Sequence, residues 1–394
     1  MVRRYGLVNL RPLACLAVIF FAGGASTAAA PLFAQPQLDG LLRRDCGVSL
    51  EPVYYGETFT NARGGISTDE ATRYEALLDL PLTLELEKTS LPLPGKCFLL
   101  AQNTHGRGLT DDVIGDTQVI SNIDSGDNVT QLSECWWEFG LFGDKLAVRL
   151  GKQDLNTDFL VMDLAGDFIQ SSFGLSPSAG LPSYPNPGMA AVVLGELTES
   201  LELKVGIWDV LGAGKWGFSG NDVTFTIGEL EYEYALCDGR LPGAVDVGVG
   251  YFSGGDVSGV TLDSARGYYV QLEQLIFREN PGCPGDAQGL GAFVSHFPRF
   301  SSSAIPLGAV WSNVVGGIVY RGPIPCRNED VVGAGVAWAK LNRSGTLQET
   351  VVEFFYKAQI GPRTSLQPDV QYIASPSGIH RDALAVGLRF QVAF

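Results

Sequence analysis

The chain is poor in charged residues, histidine and methionine. Of its 394 residues, 18% are charged, three are histidine and three are methionine. It contains no Gly-x-Ser-x-Gly elbow, no phosphate-cradling glycine loop and no His-Glu-x-x-His motif. Cysteines and histidines do not occur at the spacing of a zinc site. We therefore expect no enzyme, no metal centre and no cofactor.

Long apolar runs are also missing after the N-terminus. Arg3 and Arg4 precede a short apolar stretch at 13–22, and small residues follow at 23–29. This order is typical of a secretory signal peptide, with cleavage after Ala29 or after Ala34. The stretch is shorter than the roughly 18 residues that a membrane helix needs, and no later run reaches that length. We therefore predict a signal peptide at 1–34.

Basic charge is in short supply throughout. The formal net charge is −16, and cleavage after Ala34 would remove three arginines and no acid, which leaves −19. This balance argues against nucleic acid and against anionic lipid as partners. No linker, charge block or low-complexity tract divides the remaining chain, so we expect a single domain after the signal.

Glycine, aromatic residues and period-two alternation are abundant. The chain has 49 glycines, and 10% of its residues are aromatic. At the C-terminus, even positions from Leu384 to Phe394 are large and apolar, whereas odd positions from Ala383 to Ala393 are mostly small or polar. Because side chains alternate between the faces of a strand, this segment predicts a strand with one apolar and one polar face.

The same alternation recurs and predicts sixteen strands. They fall near residues 48–57, 73–87, 95–101, 131–140, 145–152, 188–194, 199–208, 226–235, 244–252, 266–278, 287–294, 312–321, 331–340, 349–360, 364–374 and 382–394. An export signal, strands of about ten residues and a terminal Phe394 favour a membrane barrel over a soluble sandwich. We predict an all-β transmembrane antiparallel β-barrel of about 16 strands at 48–394, preceded by a periplasmic segment at 35–47.

An even strand number places both termini on the periplasmic side of the cell outer membrane. The outward apolar residues would contact outer-membrane lipid, and Phe394 would be the terminal signal for the barrel-assembly machinery. Connections 141–144 and 361–363 are short turns, whereas 102–130, 153–187 and 209–225 are long outer loops.

Several segments carry motifs that are specific in combination. They are 143–154, with the run Gly-Asp-Lys-Leu-Ala-Val-Arg-Leu-Gly-Lys-Gln-Asp, then 168–174, 317–325, 367–372 and 387–390. Together they resemble the carbohydrate-selective porin (OprB) family. The resemblance implies a channel for small sugars whose loop after residue 153 folds inward and narrows the barrel. A short helix is predicted in this loop at 162–169, and the resemblance raises a homo-oligomer as a candidate assembly.

The polar faces of the predicted strands supply candidate lumen residues. Nine acids and four bases fall there, so the lumen should repel anions. We expect Arg149 and Asp158 to line the constriction as a pair that hydrogen-bonds sugar hydroxyls, and Trp136 to stack on a sugar ring. Further lining candidates are Asp154, Glu229, Glu231, Asp369, Gln371 and Arg389.

Each lining candidate has an alternative interpretation. Asp154 and Asp158 would cap their own loop by bonding its backbone. The charged residues would only brace the barrel wall. Trp136 would be a girdle residue or a residue that packs a loop.

Six cysteines remain after removal of the signal. The strand map places five near the periplasmic rim: Cys46, Cys97, Cys237, Cys283 and Cys326. Cys135 faces lipid. Because the periplasm permits disulfides, we expect cross-links at the rim, with the pairing left open.

The predicted function is passive, carbohydrate-selective diffusion of small neutral solutes into the periplasm. Two alternatives stay open. A general porin for small polar solutes would admit amino acids as readily as sugars of similar size. A non-conducting barrel that acts as an enzyme or adhesin would show no conductance in a planar bilayer.

Overall fold

Segments with period-two alternation form antiparallel strands, and each strand pairs with the next along the chain. The computed structural model describes residues 42–44, 47–89, 91, 93–175, 181–210, 223–257, 260–262, 264–279, 288–298, 310–342 and 344–394. The signal at 1–34 and its cleavage sites lie outside these residues, so the signal stays a prediction.

The described strands are numbered in chain order. They are β1 Leu42–Arg44, β2 Val48–Leu50, β3 Val53–Gly65, β4 Thr72–Glu85, β5 Lys96–Gly106, β6 Thr130–Leu141, β7 Leu146–Gln153, β8 Gly188–Thr198, β9 Leu201–Asp209, β10 Thr224–Leu236, β11 Leu241–Phe252, β12 Gly255–Val257, β13 Val260–Leu262, β14 Ala265–Arg278, β15 Gly289–Pro298, β16 Ser312–Arg321, β17 Val331–Lys340, β18 Gln348–Gly361, β19 Thr364–Ala374 and β20 Arg381–Ala393.

The strands close into a ring. β3 to β11 and then β14 to β20 pair in antiparallel order. β20 returns to pair with β3, where Arg389 lies opposite Glu57. The described chain therefore forms a closed barrel of sixteen strands, which confirms the predicted fold class. β12 and β13 form a separate hairpin in the connection from β11 to β14.

The first predicted strand, 48–57, is divided in the structure. β2 pairs with β1 and with the end of β4, whereas the ring begins with β3 at Val53. Pro52 lies at the break and has no N–H to donate to a ladder, so the strand is interrupted there. β2 and β3 therefore lie end to end and pair with successive parts of β4.

The two ends of the barrel differ in the length of their connections. Residues 142–145 and 362–363 are turns at the end where β20 finishes, which we call the short-turn end. Residues 107–129, 154–187 and 210–223 connect strands at the opposite end, the long-loop end. This asymmetry agrees with the predicted short turns and long loops.

The outward positions carry the predicted apolar stripe. Exposed outward side chains include Val249, Tyr268, Phe354 and Val386. The inner wall, however, is not uniformly small or polar as predicted. A buried apolar cluster joins Phe355 of the wall to loop residues that fold into the ring. Inner-wall positions are apolar where a loop brings its own apolar side chains against them, and this pairing removes both surfaces from water.

Helices are short. An α-helix spans Ser171–Gly174, 3-10 helices span Leu86–Lys88, Leu155–Thr157 and Pro376–Gly378, and a π-type turn spans Thr110–Ile114. In the described part of the chain, no helix is both long and apolar enough to cross a membrane.

The predicted helix at 162–169 is wrong in its position. Residues 163–167 form turns, and the α-helix follows at Ser171, where Gln170 caps it by accepting from the amide of Ser172. The amides of Leu164 and Ile169 donate to side chains of the barrel wall. These wall bonds take the place of helical hydrogen bonds.

The cysteines that the structure describes are free thiols. Cys237 and Cys326 are exposed at the short-turn end, whereas Cys97 and Cys135 lie on the outward side of their strands. The turns of Cys237 and Cys326 are more than three strand spacings apart, about 14 Å or more, whereas a disulfide needs Cα atoms within about 7 Å. Cys97, Cys237 and Cys326 therefore form no disulfide among the described residues. Cys46 and Cys283 lie outside the described residues, so the predicted rim cross-links stay a prediction.

We expect thiol reactivity to follow this arrangement. In proteoliposomes, a membrane-impermeant maleimide should label Cys237 and Cys326 and spare Cys97 and Cys135, because lipid covers the latter pair. Peptide mass spectrometry measures the labelling, and the variants C237S and C326S should each remove one labelled peptide. Labelling of Cys97 or Cys135 in the bilayer would contradict their orientation.

Candidate channel constriction

Of the connections that the structure describes, two turn back into the ring. The first inner segment, residues 109–123, lies between β5 and β6, and the second inner segment, residues 155–173, lies between β7 and β8. Ile114 and Ile169 are fully buried in one apolar cluster with inner-wall residues of β15 to β20. The inward fold of the second segment was predicted. The first was missed, although apolar residues interrupt its polar sequence.

Wall glutamates hold the second inner segment by its backbone. They accept from its amides as follows: Glu229 from Leu160 at 3.0 Å, Glu273 from Leu164 at 2.5 Å, and Glu353 from Ile169 at 2.7 Å and Gln170 at 3.0 Å. These glutamates lie on β10, β14 and β18, so the segment follows the wall around the ring. Hydrogen bonds to an ionised carboxylate are about twice as strong as neutral ones.

The first inner segment is held on the neighbouring part of the wall. Glu349 of β18 accepts from the amides of Thr117 at 2.8 Å and Gln118 at 2.9 Å. Gln371 of β19 donates through Nε2 to the carbonyl of Ile120 at 3.0 Å. This segment therefore continues around the wall from the point where the second segment meets β18.

The two inner segments also bond to each other. The amide of Asn122 donates to the carbonyl of Ile169 at 2.8 Å, and the amide of Ser171 donates to that of Val119 at 3.1 Å. Gln170 Nε2 donates to the carbonyl of Gln118 at 2.8 Å. The segments thus form one layer inside the barrel rather than two independent loops.

Arg149 and Asp158 meet as predicted at the start of the second inner segment. Arg149 Nη1 donates to Asp158 Oδ2 at 2.6 Å, and its Nε and Nη2 donate to Glu138 Oε2 at 2.9 and 2.7 Å. Lys96 Nζ lies 2.9 Å from Glu138 Oε1. Arg149 is 0% exposed, so the ion network fastens the segment to β6 and β7.

The indole of Trp136 is covered on the inner wall. Phe98, from the strand on one side, stacks on it at 4.9 Å between centroids, and the Arg149 guanidinium, from the strand on the other side, lies 4.3 Å from its centroid. Its Nε1 donates to Glu134 at 3.2 Å. Trp136 therefore packs within the wall between β5 and β7, and its ring is covered on both faces.

Lys204 pairs with two of the predicted lining acids. Its Nζ donates to Glu229 Oε1 at 2.9 Å, to Glu231 Oε2, and to the carbonyl of Asp158 at 3.1 Å. One carboxylate oxygen each from Glu229, Glu231 and Asp246 lies within 4.8 Å of the others, a spacing that would suit a cation. The lysine ammonium already supplies that positive charge.

Asp154 anchors its own loop. Its Oδ1 accepts from the amide of Asn156 and from Ser183 Oγ, both at 2.7 Å, and its Oδ2 accepts from the amide of Tyr184 at 2.7 Å. Asp154 therefore caps its own loop, as its alternative interpretation predicts. Asp158, by contrast, bonds across to Arg149.

The remaining predicted residues lie together on β19 and β20. Asp369 Oδ1 accepts from Gln371 Nε2 at 3.1 Å. Arg389 Nε donates to Glu57 Oε2 at 2.5 Å, and its Nη2 donates to Ser121 Oγ at 3.2 Å. Sequence reasoning missed Glu57, because the predicted first strand ended at that residue.

Burial changes the acidity of two loop aspartates. Burial, and then the neighbouring charge of Glu349, raise the pKa of Asp116 to about 7. Burial raises the pKa of Asp154 to about 6, although the donors from Ser183, Asn156 and Tyr184 oppose the shift. Hydrogen bonds from Thr110 and from its own backbone amide oppose the shift at Asp116. Both groups therefore change charge inside the ring between mildly acidic and neutral pH.

Comparisons with known proteins find relatives over most of the chain. A family model described as "Carbohydrate-selective porin, OprB family" matches residues 69–394. Porin B of Pseudomonas aeruginosa is 24% identical over 415 residues, which cover 88% of this chain and 88% of that protein.

Solved structures share the fold. The high-pH structure of Pseudomonas putida OprB superposes with a TM-score of 0.77 at 21% identity, over 89% of this chain and 95% of that one. The low-pH structure of the same protein gives 0.60 at 19% identity, over 89% and 93%.

Removal of the Arg149 guanidinium should destabilise the barrel. Arg149→Ala leaves Glu138 and Asp158 buried without their shared partner, which should cost about 3 kcal/mol of unfolding free energy. Denaturant unfolding measures the loss, and Trp136 emission should shift to the red as its ring is uncovered. Arg240→Ala, in an exposed turn, is the control. An unchanged unfolding curve and spectrum would contradict the proposed bracing.

Asp116 should make stability depend on pH. Because its folded-state pKa of about 7 lies above the ordinary 3.8, its stabilising contribution is complete at acidic pH and is lost as pH rises to 7. Asp116→Asn should match the wild-type melting temperature near pH 4 and exceed it at pH 8. A difference that does not change with pH would refute this role.

Proposed function

Since this chain belongs to the OprB family of carbohydrate-selective porins, we propose that small neutral sugars cross its barrel through the space left by the two inner segments. The protein is an outer-membrane β-barrel channel. Monosaccharides are the proposed preferred substrates, because the inner segments narrow the ring.

The anchored inner segments are the observation that supports this proposal most strongly. A barrel of about 16 strands leaves a wide aqueous channel when nothing fills it. Here, residues 109–123 and 155–173 lie inside the ring and are tied to β10, β14, β18 and β19. The fixed inner segments reduce the cross-section of the lumen without blocking it. The channel would therefore select solutes by size.

The paired charges of the inner wall favour neutral solutes. Glu138 is paired with Arg149 and Lys96, and Glu229 and Glu231 share Lys204. Each of these bases reduces the net charge of the acids beside it, so a charged solute gains a weaker binding site there than unpaired acids would offer. Uncharged solutes with many hydroxyl groups suit such a surface.

The proposed roles of the site residues follow from their exposure. Arg149, Asp154 and Asp158 position the second inner segment rather than contact solute directly, because all three are at least nine-tenths buried. Gln371 and Arg389 hold the first inner segment on β19 and β20. The sugar preference therefore depends on how these residues hold the segments.

Assembly partners are proposed from the outer surface. The apolar stripe would contact outer-membrane lipid. Phe394 is 47% exposed and lies just after β20, where the barrel-assembly machinery would recognise it. The homo-oligomer stays a prediction.

A liposome-swelling series tests the proposal. Liposomes that contain the purified protein should swell faster in glucose than in amino acids of similar size, and faster than in disaccharides. Equal rates for sugars and amino acids would favour a general porin. Absence of both swelling and planar-bilayer conductance would favour a non-conducting barrel and refute the channel.

A further inference from the structure

Strand β18 contacts both inner segments through two glutamates. Glu349 and Glu353 are four residues apart, so their side chains lie on the same face of the strand, and both are 0% exposed. One strand therefore carries an attachment point for each segment. Its neighbours β17 and β19 are paired to it along most of its length, which makes it a rigid support.

Each glutamate accepts hydrogen bonds from two consecutive amides. Glu353 bonds to Ile169 and Gln170, and Glu349 bonds to Thr117 and Gln118. Successive backbone N–H groups form a concave site for an anion. Here the carboxyl group of a wall glutamate occupies that site. A single side chain thereby fixes both the position and the direction of the segment that it holds.

Glu349 also ties in a third loop. The amide of Ser377, in the connection between β19 and β20, donates to Glu349 Oε2 at 2.6 Å. Thr117 Oγ1 and Ser377 Oγ are 2.8 Å apart. The first inner segment is therefore attached both to the wall and to the outer connection above it.

A carboxylate is required because glutamine cannot reproduce these contacts. Glutamine has the same shape, but it offers one acceptor oxygen and a donor NH2 group. In place of Glu353, its NH2 would face one of the two backbone donors. Such a change removes one hydrogen bond and sets donor against donor.

We infer that Glu349 and Glu353 are positioning residues that set the size limit of the channel. They act through the inner segments, without contact to the sugar. A segment released from either glutamate moves within the ring and opens a wider path. This inference rests on the proposed sugar permeation for its functional readout.

Permeation ratios test the inference. In liposomes, the ratio of disaccharide flux to monosaccharide flux should rise several-fold in Glu349→Gln and in Glu353→Gln. Asp238→Asn, which removes a carboxylate from an exposed turn at the short-turn end, is the control and should keep the wild-type ratio. Heat-modifiable electrophoretic mobility verifies that each barrel is folded, and Glu353→Asp provides a milder displacement if a glutamine variant fails to fold.

Amide hydrogen exchange provides an independent readout. Exchange at Ile169 and Gln170 should be about tenfold faster in Glu353→Gln, as expected when a backbone hydrogen bond is lost. Folded variants with the wild-type flux ratio and wild-type exchange would overturn the inference. Wild-type protein that passes no sugar would instead refute the proposed function, and exchange alone would then decide the positioning role.

Discussion

The architecture depends on hydrogen bonds from loop backbone to carboxylates of the barrel wall. A loop that enters a barrel carries amides that must be satisfied away from bulk water. Glu353 and Glu349 each satisfy two consecutive amides, and Glu229 and Glu273 satisfy one each. Without these acceptors, the inner segments would be better hydrated outside the ring.

Apolar packing acts together with these bonds. Phe168 of the second inner segment stacks with Phe173 at 4.2 Å and meets Phe355 of β18 edge-on at 4.9 Å. The barrel thus has an inner core of its own in addition to the outer stripe that faces lipid. Glutamates set where the segments attach, and aromatic packing excludes water around those attachments, which strengthens them.

The strand pattern could be predicted from the sequence, whereas the interior could not. Predicted strands at 312–321, 331–340 and 364–374 match the bounds of β16, β17 and β19. The helix predicted at 162–169 is wrong, because hydrogen bonds to Glu273 and Glu353 outweigh the local tendency of this segment to form a helix. The pairing of Arg149 with Asp158 was predicted as a guanidinium–carboxylate pair at the inward-folded loop. Contacts between residues 118 and 349 join distant parts of the chain and were not predicted.

Polymer exclusion in planar bilayers tests most directly whether the anchored segments narrow the barrel. Neutral polymers of increasing size are added, and single-channel conductance shows which of them enter. The account predicts that polymers larger than a disaccharide stay outside and leave conductance unchanged. Entry of polymers several times that size, as for an unobstructed barrel of sixteen strands, would contradict it.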